Sequence, residues 1–432
     1  MQTIITLKNE FIQSLRVGWF LAFRQIHRVG KGTSALIIFI MTLTFLNLVV
    51  VSGLLVGLIS GSFKQFRESY AADIIITAAP GRSYIENSPG LIGFLNNNSN
   101  VEAFSPRYGA GATVRGTLSQ STPKKERANQ ISTRVTGLDP AREEDLTQFS
   151  RFIIKGQMFD ATDEGSILIG ANLIKKYSSF ADANIPGLDL LRDVDVGDRV
   201  RLTIPNPDGE PVSKDFFVKG IVKSKVDEIS TRMFVNDQEL KRLLPVNKEQ
   251  LQEIAIRTKP GQDMALLEET KNFMDGYAAQ IQTADEAIPS FLRDIETTMS
   301  ILGNALSSFA LVVASITVFI VIYINAVTKR KFIGIMKGIG ISPWAVQASY
   351  LIQALFYGLA GSGIGLALTF GLLKPYFDAN PINFPFSDGI LAATPEGAFT
   401  RVAILLIVTI IAGYIPATII VRKNTLDSIL GR

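Results

Sequence analysis

Four cations with no acid among them, Lys329, Arg330, Lys331 and Lys337, stand between two long uncharged runs. They are the side chains best placed to engage a partner. Around them Ile333, Met336 and Ile339 or Gly340 recur at helical spacing, with Lys337 on another side, which suits a short amphipathic helix over 328–344. On pattern alone, an ordinary loop carrying topogenic charges fits equally well. Other chemistry is missing. The chain has no cysteine, which excludes thiol catalysis, disulfides and cysteine metal sites. Its single histidine, His27, lies among Arg24, Arg28 and Lys31 and lacks the partners of a metal site or a triad, so it reads as a solvated interfacial residue. The nearest approach to a phosphate-cradling loop is Gly30-Lys31-Gly32-Thr33-Ser34. It lacks the first glycine of Gly-x-x-x-x-Gly-Lys-Ser/Thr, and Gly32 follows the lysine. No Gly-x-Ser-x-Gly or His-Glu-x-x-His occurs. The chain reads as no enzyme, with no metal and no cofactor of its own.

The uncharged runs explain where the cations sit. Residues 301–327 and 345–373 are each long enough to cross a bilayer, as are 35–60 and 402–421. None is studded with acids or bases, as a proton-coupled transporter needs. Lys and Arg mark cytoplasmic ends, and Arg24, Arg28, Lys31, Lys329, Arg330, Lys331, Lys337, Arg422 and Lys423 all adjoin one side. Both termini are therefore expected in the cytoplasm of a multi-pass plasma (inner) membrane protein. The net charge of +4 is explained by this topology, and no nucleic-acid partner is expected. Residues 1–34 carry Trp19, Phe20 and Phe23 between cations and read as an amphipathic helix on the cytoplasmic interface. Asn47, in the middle of the first span, reads as an interhelical hydrogen-bonding residue. In the third span Gly361-x-x-x-Gly365 allows close helix packing, either within one subunit or against a second. Residues 374–401 form an outer loop and 422–432 a cytoplasmic tail.

Between the first two spans the character changes. Over 61–300, β-rich runs at 73–77, 112–118, 131–137, 166–169, 199–204, 216–222, 233–235 and 253–257 alternate with helical stretches at 171–177, 237–244 and 263–277. The fold class is therefore four transmembrane helices with a large α+β extracytoplasmic domain, in two lobes, inserted between the first and second. Residues 123–127 read as an exposed connection, and 284–298 as a helix running directly into the second span as a stiff link.

The basic segment resembles the loop of FtsX-like and MacB-like ABC permeases, whose pattern runs basic-basic-basic-Glu-Ile-Gly-Ile-Leu-Lys-Ala-Ile-Gly-Ala-Ser. Lys329, Arg330, Lys331, Ile333, Gly334, Ile335, Met336, Lys337, Ile339, Gly340 and Ser342 fit it; Phe332 stands where the family has Glu, and Ile341 where it often has Ala. The outer domain is similar to those of lipoprotein-releasing and macrolide-exporting permeases. Val135-Thr136-Gly137-Leu138-Asp139-Pro140, Lys155-Gly156, Glu164 to Gly170, Val196-Gly197-Asp198 and Phe217 to Val222 follow in the family's order. The resemblance implies a permease subunit without ATPase activity, a coupling helix at 328–344, a partner ABC ATPase that binds the ATP, and a second permease copy or paralogue. It also implies export or extraction of an amphiphile such as a lipoprotein, lipid, peptide or hydrophobic drug. The alternative is a non-transporting regulator of an extracellular partner. Within the coupling helix Gly334, Gly338 and Gly340 are expected to allow close approach, and Ile335 and Met336 to fill an apolar cleft of the ATPase. A periplasmic adaptor or carrier belongs to some members. Here the turn at 205–214 holds Val212 as its one apolar non-proline residue, a poor anchor for a carrier.

Overall fold

The computed structural model describes residues 2–28, 31–116, 129–179, 181, 189–206, 210–244, 251–384, 388–389 and 391–422. Two compact units emerge: Met1–Ile59, Asp294–Ile382 and Gly389–Arg432 form one, and Ser60–Arg293 with Asn383–Asp388 the other. The connection at 123–127 and the middle of the 205–214 turn lie outside the described residues.

The helical unit is built on four helices long and apolar enough to cross a membrane, Gly32–Ala71, Ser290–Thr328, Pro343–Ala379 and Pro395–Ile419. A further helix, Gln2–Arg28, precedes them. The third spanning helix is the hub, because its small residues let three neighbours approach closely. A Cβ at Gly361 would overlap Met41 of the first span, and one at Gly365 would overlap the ring of Phe45. Gly358 meets Leu406 of the fourth span, and Gly18 of the N-terminal helix meets Ala345 and Ala348. Thr42 Oγ1 donates to the Gly361 carbonyl at 3.2 Å. The Gly361-x-x-x-Gly365 pair is thus used within this chain. From the second span Ala314, Val318, Ile322 and Ala326 join the buried cluster, four residues apart as one helix face requires.

Three expectations change here. Asn47 makes no interhelical bond: it opens a π-helical turn, Asn47–Val51, and its Oδ1 is buried without a partner among the described residues. The outer loop shrinks, since the third helix continues to Ala379 and the fourth begins at Pro395, where proline suits the first turn. The helix expected from 284 starts at Ser290. Thr283 and Glu286 do exchange capping hydrogen bonds, at 3.0 and 3.2 Å. Pro289 then disfavours helical backbone at the residue before it, Ile288.

The other unit is organised by a ten-stranded sheet: β1 (Ile74–Ala78), β2 (Val101–Arg115), β3 (Gln130–Leu138), β4 (Ile153–Gly156), β5 (Ser166–Gly170), β6 (Arg199–Ile204), β7 (Val212–Val222), β8 (Met233–Asn236), β9 (Leu251–Thr258) and β10 (Ala279–Thr283). The order is β10-β1-β9-β2-β3-β8-β5-β7-β4, with β6 pairing both β2 and β7. That extra pairing closes a circuit β2-β3-β8-β5-β7-β6, from which β9, β1 and β10 extend. The fifteen-residue β2 belongs to both parts, so a single hydrogen-bonded sheet replaces the expected two lobes. β6 alternates regularly, with Val200, Leu202 and Ile204 buried between Arg199, Arg201 and Thr203. The helix expected at 171–177 is only a 3₁₀ turn, Ala171–Leu173; Ile174 is extended and pairs with Leu191. The helix from Asp263 ends at Phe273 rather than 277.

Candidate functional site

The basic segment does form a short helix, Arg330–Gly338. Its end is fixed by Gly340 at φ +93°. The Ile341 N–H donates to the Met336 carbonyl at 3.0 Å and the Gly340 N–H to the Lys337 carbonyl at 3.1 Å. This is the Schellman pattern, which needs a left-handed residue at that point. Gly340 is therefore the cap of this helix. Gly338 has nothing within 4 Å of where a Cβ would stand.

The helix carries two apolar stripes with different fates. Ile333 is 2% exposed and Gly334 is buried, while Met336 and Ile341 pack against the helical core. Lys337 Nζ donates to the Val421 carbonyl at 3.0 Å, at the C-terminal end of the fourth spanning helix, where a cation is favoured. The other stripe points away: Phe332 is 67%, Ile335 43% and Ile339 73% exposed. Their spacing, i, i+3, i+7, puts them on one face. Lys331 is exposed beside them, while Lys329 and Arg330 are half-buried. Met336, expected to fill a partner's cleft, is half-buried and packs against this chain's own helical core. Phe332 and Ile339, not expected to do so, stand outward with Ile335. The sequence pattern places Ile333, Met336 and Ile339 or Gly340 on one face, whereas the structure turns Ile339 outward with Phe332 and Ile335 and leaves Ile333 and Met336 on the core side.

A second concentration of polar chemistry, absent from the sequence reading, lies within the sheet-bearing unit. Tyr70 sits in the π-helical turn Arg67–Ala71, and its hydroxyl donates to Glu253 Oε2 on β9. Glu253 also accepts from Arg232 Nη1 at 3.0 Å and Arg134 Nη1 at 3.0 Å. Across the β2–β9 pair it faces Arg107. Arg107 in turn holds Glu143 with two parallel bonds, Nε to Oε2 at 3.0 Å and Nη2 to Oε1 at 2.7 Å. The guanidiniums of Arg107 and Arg232 lie 4.7 and 5.3 Å from the Tyr70 ring centre, a favourable cation–π arrangement. Burial pushes the Glu253 carboxyl up, but Arg232, Arg107, the Tyr70 hydroxyl and Arg134 outweigh it and hold it below the usual carboxylate range. Every carboxylate here is occupied by cations, so the cluster locks the turn Arg67–Ala71 to the sheet and offers no free base. The signal in the sequence is Arg107 and Glu253 inside otherwise strand-like runs. Among the described residues no group of three or more His, Cys, Asp or Glu could hold a metal ion.

Residues 34–270, more than half of the chain, match the MacB-like periplasmic core domain, and residues 304–425 match the FtsX-like permease C-terminal region. The chain belongs to this family of ABC-type permeases. A macrolide export ATP-binding/permease protein of Yersinia pestis bv. Antiqua is 27% identical to this permease over 135 residues, 31% of the chain and 19% of that protein. An uncharacterised ABC transporter permease of Methanocaldococcus jannaschii is 22% identical over 250 residues, covering 56% of the chain and 59% of the relative. The permease thus spans less than two thirds of the length of either. The crystal structure of the periplasmic region of MacB from Actinobacillus actinomycetemcomitans aligns with a TM-score of 0.35 at 12% identity, covering 52% of the chain and 94% of that structure.

Proposed function

We propose that this permease is the membrane subunit of an ABC transporter whose ATP is bound and hydrolysed by a separate ATPase subunit docked on the helix Arg330–Gly338. One observation carries this: the helix holds Phe332, Ile335 and Ile339 outward while its opposite face is locked to the spanning helices. An ordered apolar stripe kept out of its own core is the mark of a helix-in-groove contact. Because Ile333, Met336 and Lys337 fasten the back of the helix, a displacement of the stripe is passed to the spans rather than absorbed.

In this reading the docking helix is cytoplasmic and the sheet-bearing unit lies outside, where it handles an amphiphile to be exported or extracted. A second permease copy packs along the second span, where Leu306, Phe309, Val313, Ile316, Ile320 and Tyr323 follow a seven-residue repeat and all stand exposed. Such a repeat is the pattern of a helix–helix seam. The test is co-expression with a cognate ABC ATPase subunit. The expected result is a stable complex in which ATP turnover is confined to preparations containing that subunit. Turnover that scales with the permease alone defeats the assignment.

A further inference from the structure

The sheet-bearing unit contains a cleft of about 790 Å³ whose lining joins cations to apolar walls. That volume falls within the range of small-molecule sites. Arg151 and Lys223 both face it, and the Lys223 N–H donates to the Phe152 carbonyl at 2.8 Å, so the two side chains leave the backbone close together. Arg151 Nη2 is held by Ser69 Oγ at 3.2 Å and the Glu68 carbonyl at 3.5 Å. Its guanidinium lies 4.8 Å from the Phe152 ring centre. Arginine has five N–H donors, and these bonds use one nitrogen. Lys223 Nζ makes a long bond, 3.4 Å, to the Tyr177 carbonyl. Among the described residues neither cation has a carboxylate partner. A third cation, Lys225, is bound to Asn383 Oδ1 and the Phe384 carbonyl and shapes the rim. Of the two acids on the lining, Glu68 turns to Lys64 at 3.8 Å, and burial raises the carboxyl of Asp227. The cleft therefore keeps a positive balance.

Beside these cations stand Phe291 and Ile154, 47% and 49% exposed, as apolar walls. Four lining residues lie at or near the ends of spanning helices in sequence: Gln65 and Glu68 in the last turns of Gly32–Ala71, Phe291 at the start of Ser290–Thr328, and Phe384 shortly after Pro343–Ala379. A soluble anion would use the cations and leave the apolar walls wet. A neutral drug would leave the cations unpaired. We infer that this cleft binds the headgroup of an anionic, phosphate-bearing amphiphile, with its phosphate at Arg151 and Lys223 and the start of its chain against Phe291 and Ile154. The inference rests on the transport reading only in calling that amphiphile a substrate.

The test is equilibrium binding of radiolabelled lysophosphatidic acid to the full-length permease in neutral detergent, with lysophosphatidylcholine and inorganic phosphate as competitors. No ATPase is present, so a failure of docking leaves the result intact. Changing Arg151→Gln and Lys223→Gln together is expected to weaken binding about tenfold or more, as loss of charge-assisted bonds does. Arg151→Lys should retain most of it, which separates lost charge from lost fold. Phe291→Ser should weaken lysophosphatidic acid without changing competition by phosphate. Unchanged binding in the double variant overturns the inference. So does inorganic phosphate competing as well as the lipid, which would make the cleft a site for soluble anions, or equal competition by the zwitterionic lipid.

Discussion

Arg107 on β2 and Glu143 on the helix Pro140–Thr147 are joined by two parallel hydrogen bonds with both side chains nearly sealed from solvent, at 4% and 2% exposure. Glu143 is further occupied by Thr147 Oγ1 at 3.1 Å. Removing one partner strands a buried charge, which costs about 3–5 kcal/mol. Glu143→Ala should therefore lower the unfolding temperature of the sheet-bearing unit in the full chain by several degrees. Because Arg107 also stacks on Tyr70, amide exchange should quicken around 67–71 as well as in β2. Exchange confined to the helix Pro140–Thr147 would show that the network does not reach the first span.

Acid should act on the same cluster through Glu253. Its folded-state value lies below the ordinary carboxylate value of about 4.3. The ionised form is therefore the one that stabilises the fold. That contribution is fully present above the ordinary value and is lost as pH falls through the depressed one. Unfolding of the full chain, followed between pH 6 and 3, should steepen below about pH 4.3. Glu253→Gln should be less stable at pH 6 and less sensitive to acid. A variant with the wild-type acid slope would remove Glu253 from the account.

The helical unit offers an internal comparison among glycines within about one turn of one another. A Cβ at Gly361 or Gly365 collides with the first span, while Gly363 has nothing within 4 Å. Gly361→Val should destabilise the unit by about 1–3 kcal/mol, the cost of overpacking; Gly363→Val should be close to neutral. The check is detergent-solubilised thermal stability of the two variants side by side. Equal behaviour would contradict the packing described.

Pairing along the second span can be read by cross-linking, since the chain has no native cysteine. Ile316 lies on the exposed seven-residue seam and Val318 is 2% exposed on the inner face. A cysteine at Ile316 should give a covalent dimer in membranes under oxidation, and one at Val318 should not. If neither cross-links, no second copy packs along this seam.

Spans and the basic turn were legible from residue runs because membrane crossing depends on length and charge, both local properties. Most strands were legible from alternation, as in β6. What escaped depends on contacts distant in the chain. Arg107 meets Glu143 across 36 positions and Tyr70 meets Glu253 across 183, and no local pattern pairs them. Met336 and Ile339 show a different limit: a helical period places both on one face of the helix Arg330–Gly338, but only packing against the spanning helices decides that Met336 turns inward and Ile339 outward. Gly340 was noticed as small, whereas its role follows from a backbone angle that residue type alone does not announce.

The central claim is that the outward stripe receives the ATPase. The most direct measurement is retention of the ATPase subunit by affinity-purified permease carrying Phe332→Asp and Ile339→Asp, two exposed positions whose change leaves the helical core intact. The account predicts that the variant inserts and melts like the wild type yet loses the ATPase and its stimulated turnover. Normal retention of the ATPase by this variant would contradict it.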